Sequence, residues 1–106
     1  MTLDSMADEL MAHGIYVEHQ DVHEGDLHIE YETTRPGEGV PRREAGRVCQ
    51  YLRDADWEPQ DVHGWVVDTD GNERGSWHAK AGWFVALEEE LISETDFSTL
   101  LISSIR

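Results

Sequence analysis

The strict alternation of apolar and polar residues from Leu27 to Thr33 constrains the fold of this chain more than any other feature. The apolar positions are Leu27, Ile29 and Tyr31, and the polar residues between and beyond them are His28, Glu30 and Glu32. A period of two residues is typical of a β-strand that buries one face and exposes the other. We therefore expect a sheet that other elements cover on one side.

Two helices and three more strands are predicted around this strand. Apolar residues at a helical period, ended by Gly14, predict a helix over residues 4–13. A second helix is predicted over residues 41–54, with Pro41 in its first turn. The remaining strands are predicted at 15–23, 58–67 and 76–81, with turns at 24–26 and, around an Asp-Gly pair, at 68–72.

The last quarter of the chain predicts two helical segments. Phe84, Leu87 and Leu91 have helical spacing, although residues 83–87 would alternatively extend the last strand. Ser93 and Asp96 resemble a capping box that opens a final helix.

These elements predict one α+β domain spanning residues 1–106. Their order is αββαββ followed by C-terminal helical segments, and we expect a two-layer fold with a four-stranded antiparallel sheet and helices on one face. Residues 18–23 match residues 58–63 at five of six positions. This match indicates either an internal quasi-repeat of residues 4–34 and 41–82 or a coincidence in a chain rich in His and Asp.

The charge balance bears on the solvent in which the chain works. The chain has 23 Asp+Glu against 8 Lys+Arg, a net charge of −15, and Lys80 is its single lysine. Molar salt drives the apolar stem of lysine toward burial, whereas short carboxylates stay hydrated. Repulsion among the carboxylates destabilises a compact state at low ionic strength, and ~1 M salt screens it. We therefore expect a protein adapted to a salt-rich cytoplasm, the alternative being an ordinary acidic domain.

The same composition disfavours several classes of protein. Nucleic acids and anionic membranes attract Lys and Arg, so the negative surplus disfavours both partners without excluding nucleic acid. No apolar run reaches the ~18–20 residues of a bilayer span, and residues 1–4 lack the basic start of a secretory signal. Cys49 is the only cysteine, which excludes an intrachain disulfide.

The lysine-poor, Asp- and Glu-rich composition resembles that of small uncharacterised haloarchaeal proteins. The spacing of the C-terminal apolar residues is similar to the tails of such domains, over Trp83, Leu87, Ile92, Ser93, Phe97 and Leu100. The resemblance implies a cytoplasmic protein of a halophilic archaeon, and it carries over no functional residue.

Two sets of residues are candidates for binding. Five of the eight basic residues lie within 19 positions, and of these Arg42, Arg43 and Arg47 would bind an acidic partner or a phosphate group. The alternative is that neighbouring carboxylates neutralise them. Trp65 and Trp77 lie on the second predicted hairpin, where one is expected in the core and the other against a partner.

The six histidines suggest a metal site as an alternative. If the repeat is real, its strands bring together His23, His28, His63 and His78. Imidazoles of this kind bind zinc, nickel or copper. No Cys-x-x-Cys pair supports such a site, and a histidine can equally serve as an exposed polar residue of a strand.

No catalytic motif or cofactor fingerprint appears in the sequence. We therefore expect a non-catalytic module that binds a protein partner or a second copy of itself, without a cofactor. The alternatives are a metal-binding protein or metal-dependent enzyme that uses the strand histidines, and a nucleic-acid accessory protein that uses the arginines of the second helix.

Overall fold

The computed structural model describes residues 3–55 and 58–106, and this part of the chain forms four strands and four helices. In chain order they are α1 (Leu3–Met11), β1 (Ile15–His23), β2 (Asp26–Thr33), α2 (Arg42–Asp54), β3 (Val62–Val67), β4 (Glu73–Ala79), α3 (Ala81–Glu88) and α4 (Glu94–Ser103). The predicted α+β class and the order αββαββ with a helical C-terminal region are confirmed. Residues 1 and 2, part of the segment considered for a secretory signal, lie outside the described residues.

The sheet is mixed, which corrects the prediction of a purely antiparallel one. Its order is β1-β2-β3-β4, with antiparallel pairs at both edges and a parallel pair β2–β3 at the centre. The connection from β2 to β3 contains α2, and a crossover of this length lets the chain return in the same direction beside β2. A hairpin turn would have forced an antiparallel pair.

Several boundaries differ from the predicted ones for local reasons. The strand predicted from residue 58 begins at Val62, because Pro59 lacks the N–H group that a strand ladder needs. Residues 58–61 are therefore not a strand, whereas the matching residues 18–21 belong to β1. The region after β4 is helical, which decides between the two alternatives for residues 83–87.

Ser93 caps α4 as the sequence indicates. The Ser93 hydroxyl accepts a hydrogen bond from the Asp96 N–H at 3.1 Å, and the Asp96 carboxylate accepts one from the Ser93 N–H at 3.1 Å. This reciprocal pair satisfies two N–H groups that the first turn of a helix leaves without intrahelical partners.

One hydrophobic core lies between the inner sheet face and the helices. All four helices contribute buried side chains to it, and the sheet contributes the inward residues of its strands, among them Leu27, Ile29, Val62 and Trp77. The alternation of burial along β2 follows the predicted period of two. Among the four helices, none has the length and hydropathy that would let it cross a membrane.

The edge strand β4 is covered by residues that follow α4. Ser76 and Arg106 exchange two backbone hydrogen bonds, of 2.9 and 3.2 Å. Gly75, with a φ of +142°, lies against this segment, and a Cβ there would come within 2.4 Å of the Arg106 carbonyl oxygen. This contact pairs part of the β4 edge, which would otherwise expose backbone groups to another strand.

Candidate functional site

The candidate site is the side of the sheet that faces away from the core. The outer face, as we use the term, comprises Tyr16, His19, Asp21 and His23 of β1, Asp26, His28, Glu30 and Glu32 of β2, His63, Trp65 and Val67 of β3, and Ser76 and His78 of β4. These positions alternate with the buried ones, and their side chains are half-buried or exposed. At the β4 edge of this face, Trp83 of α3 lies beside His78, with the two ring centroids 5.8 Å apart.

Exposed aromatic side chains distinguish the outer face. Trp65 is 45% exposed and Tyr16 is 40% exposed. Large aromatic side chains contribute heavily to binding energy when a partner desolvates them. The outer face therefore has the composition of a binding surface.

A row of imidazoles crosses the outer face from strand to strand. The register places His28 beside His63 and His63 beside His78. The rings of His28 and His63 stack with their centroids 5.0 Å apart and their planes 16° apart, and the His63–His78 centroids are 6.5 Å apart. His23 extends the row, with its ring centroid 6.3 Å from that of His28. The structure thus brings together all four histidines of the metal hypothesis.

The geometry of this row does not form a metal centre. Imidazole lone pairs lie in the ring plane, so nearly parallel stacked rings direct them side by side rather than toward one point. Within residues 3–55 and 58–106, no three His, Cys, Asp or Glu side chains are placed so that they could hold a metal ion.

Charges near the row differ between its two ends. Asp21 of β1 lies opposite His28. The Oδ2 atom of Asp26 lies 3.6 Å from the Nε2 atom of His63. At the other end, burial lowers the pKa of His78. The positive charges of His63, Lys80 and Arg106 lower this pKa further, whereas the carboxylate of Asp61 raises it. The β1–β2 half of the face is therefore acidic, and the β4 edge is the more positive side.

The two tryptophans of the second hairpin have different environments. Trp77 is 2% exposed, and its Nε1 donates to the Tyr31 hydroxyl at 3.0 Å. This buried position places Trp77 in the core, where one of the two tryptophans was expected, whereas Trp65 is exposed. Trp77 pairs with Gly64, a position of β3 that faces the core. Trp65 follows Gly64 in the same strand and therefore faces the opposite side of the sheet.

The three candidate arginines lie together on the exposed side of α2. We call Arg42, Arg43 and Arg47 the arginine ridge. All three are exposed, and among the described residues they form no ion pair with a carboxylate. The predicted alternative of neutralisation by neighbours holds for other arginines, since Arg35 pairs with Glu44 and Arg53 pairs with Glu94, each at 3.4 Å.

A shallow groove along α2 adjoins the arginine ridge. Arg43 and Arg47 line it together with Gly46, Gln50, Tyr51, Asp54 and Ser98. The Tyr51 hydroxyl lies 3.0 Å from His13 Nε2, and Arg47 Nη1 lies 3.5 Å from the same nitrogen. Sequence reasoning missed His13 and Tyr51, although their aromatic character next to the arginines was a usable signal.

Two other titratable groups are buried in the core. Burial raises the pKa of the Cys49 thiol, which keeps it protonated among apolar neighbours. Burial also raises the pKa of Glu44, while the Thr33 hydroxyl and Arg35 act in the opposite direction. The sequence points to Glu44 as one of the carboxylates that would pair with the arginines, but it does not indicate that this side chain is buried.

Comparison with known families identifies one match. The profile described as Domain of unknown function (DUF8159) matches residues 1–106. No curated protein and no solved structure matches the chain. Because the profile match spans the whole sequence, the chain belongs to the DUF8159 family.

Proposed function

We propose that this protein is a non-catalytic interaction module that pairs with a second copy of itself through the outer face. The observation that carries the proposal is the exposed Trp65, 45% accessible near the centre of the sheet face that points away from the core. A two-layer domain leaves such a face open to water unless a partner covers it.

The size of the outer face fits a reversible dimer. Strands of six to nine residues, spaced ~4.8 Å apart and rising ~3.3 Å per residue, form a face of roughly 23 by 19 Å. Two such faces bury about 900 Å², which is below the ~1,200–2,000 Å² of a stable interface and is typical of a weak, transient one. We therefore expect a dimer whose population depends on protein concentration.

The charges of the outer face favour a second copy over an unrelated partner. A two-fold axis parallel to the strands would place β1 of one copy over β4 of the other. Asp21 would then face His78 of the second copy, beside the positive charges of Lys80 and Arg106 that act on His78. The acidic half of each face would meet the more positive edge of the other, so the face is complementary to itself.

We also propose that the module works in a salt-rich cytoplasm. The support is the net charge of −15 with a single lysine. Molar salt shortens the range of carboxylate repulsion to ~3 Å, which allows two acidic copies to approach each other.

Sedimentation in 2 M KCl tests the dimer with the variant Trp65→Ser. Wild type should reach twice the single-chain mass of 12.1 kDa as its concentration rises. Removal of a central tryptophan should weaken the dimer by about 30-fold or more, as expected for a binding hot spot. Met11→Ser is the matched control, because Met11 is 48% exposed at the end of α1, on the core side of the sheet.

A charge exchange tests the two-fold arrangement itself. Asp21→Lys and His78→Asp should each weaken the dimer, and the double variant should restore it, since each lysine would then face an aspartate. A wild type that stays at the single-chain mass at millimolar concentration would refute the proposal. Equal self-association of wild type and Trp65→Ser would refute it as well.

A further inference from the structure

We propose that the arginine ridge on α2 binds an acidic segment of a partner protein, on a surface separate from the outer face. The ridge belongs to a helix that packs on the opposite side of the sheet. A dimer formed through the outer face would therefore leave the ridge open, and either binding function can fail without the other.

The first observation is that the ridge lacks carboxylate partners on a strongly acidic chain. The sequence contains 23 Asp and Glu residues, yet Arg42 and Arg43 have no hydrogen bond or ion pair with any described residue. By contrast, Arg35 and Arg53 pair with carboxylates, and Arg74 donates to the carbonyl oxygens of Gly39 and Arg35 at 2.8 Å each. The fold thus engages other arginines and leaves the ridge available.

The second observation is that the ridge is unfavourable for the helix that carries it. Arg42 and Arg43 occupy the first turn of α2, where the positive end of the helix dipole disfavours cations. The preceding Pro41 provides no side-chain cap. Arg43 and Arg47 are also like charges four residues apart, which repel each other on a helix surface. Helix stability therefore does not account for these arginines, whereas a bound anion does.

The third observation is the shape and chemistry of the groove beside the ridge. Gly46 has no side chain, and a Cβ built there would meet no atom within 4 Å, so the helix surface is open between Arg43 and Arg47. Two guanidinium groups one turn apart can each bind a carboxylate through two parallel hydrogen bonds. Gln50 and Ser98 add neutral donors along the groove. His13 holds Arg47 and Tyr51 at the end of α1 through its Nε2 atom.

These features favour an acidic protein segment over nucleic acid. The groove follows α2 from Arg43 to Asp54, which is about three helical turns and suits an extended chain. Asp54 lines its far end, and the net charge of −15 repels a continuous row of phosphates. A protein segment with separated carboxylates can match the two arginines and avoid Asp54.

Fluorescence anisotropy with a labelled twelve-residue peptide of alternating Glu and Ala tests the site, at 0.5 and 2 M KCl. Wild type should bind the peptide, and Arg43→Gln/Arg47→Gln should lose at least tenfold in affinity. Arg53→Gln/Arg74→Gln is the charge-matched control and should bind as wild type does, because neither side chain lines the groove. The protein concentration is kept below the range of self-association. Peptide binding is then measured on the single chain, and the result does not depend on whether the proposed dimer forms.

Four results would overturn the proposal: absence of peptide binding by the folded wild type, equal loss of affinity in both double variants, tighter binding of a twelve-nucleotide single-stranded DNA, and displacement of the peptide by equimolar inorganic phosphate.

Thermal unfolding provides a second readout that needs no ligand. Both double variants remove two positive charges. Only the ridge variant relieves the repulsion of Arg43 by the positive end of the α2 dipole and the repulsion between Arg43 and Arg47. Its Tm should therefore exceed that of the control variant, and a lower Tm would contradict a binding role.

Discussion

Glu44 shows how a single residue can carry a cost that its neighbours only partly offset. Its side chain is 3% exposed in the first turn of α2, and one of its oxygens, Oε2, lies 3.4 Å from Arg35 Nε. The other oxygen, Oε1, is buried and has no hydrogen-bond partner among the described residues. Burial of a carboxylate with an unsatisfied oxygen destabilises the charged form, which is why the pKa of Glu44 is raised.

This raised pKa predicts a specific pH dependence of stability. The folded chain holds the Glu44 proton more tightly than the unfolded chain, so the stabilising contribution is complete below the ordinary pKa of 4.5 and is lost as pH rises through the raised value. Glu44→Gln cannot ionise, so its free energy of unfolding should fall less between pH 4.5 and 7 than that of wild type. Chemical denaturation across this range measures the difference. The exposed Glu38→Gln is the control, and parallel curves for wild type and Glu44→Gln would contradict the assignment.

At the scale of elements, the sequence predicts what depends on local pattern. The period of two in β2, the helical period of α2 and the Ser93 capping box were all read correctly, because each is determined within about ten residues. The parallel pairing of β2 with β3 was not predictable in this way, since it depends on which edge of β2 the chain reaches after α2. The same limit applies to the histidine row, because its assembly requires the register between these distant strands.

Packing between β3 and β4 depends on Gly64. A Cβ at this position would lie 2.3 Å from the buried Trp77 ring, so a methyl group cannot fit without displacing that ring. We expect Gly64→Ala to lower the free energy of unfolding by ~1–3 kcal/mol, as overpacked cores do. Gly46→Ala is the control within α2, where the Cβ is unobstructed and should stabilise the helix by up to ~1 kcal/mol. Urea denaturation of the two variants checks both signs, and a neutral Gly64→Ala would contradict the close packing.

At the scale of the whole molecule, the acidic surface and the two proposed binding surfaces are distinct features. The net charge of −15 is a property of the whole chain, whereas the outer face and the arginine ridge are local arrangements of aromatic, imidazole and guanidinium groups. Composition predicts an adaptation to salt, which stays a prediction. It does not separate Trp65 from Trp77, which differ only in the side of the sheet that they face.

Thermal unfolding of the protein followed by circular dichroism from 0.1 to 4 M KCl tests most directly whether the acidic surface is an adaptation to salt. Screening shortens from ~10 Å at 0.1 M to ~3 Å at 1 M salt, so the Tm should rise steeply across this interval and the fold should loosen below about 0.5 M. Sucrose strengthens apolar burial without screening charge, and it should not replace KCl. A chain that is fully native with an unchanged Tm in nearly salt-free buffer would contradict the account, and the carboxylates would then have to be assigned to a binding surface.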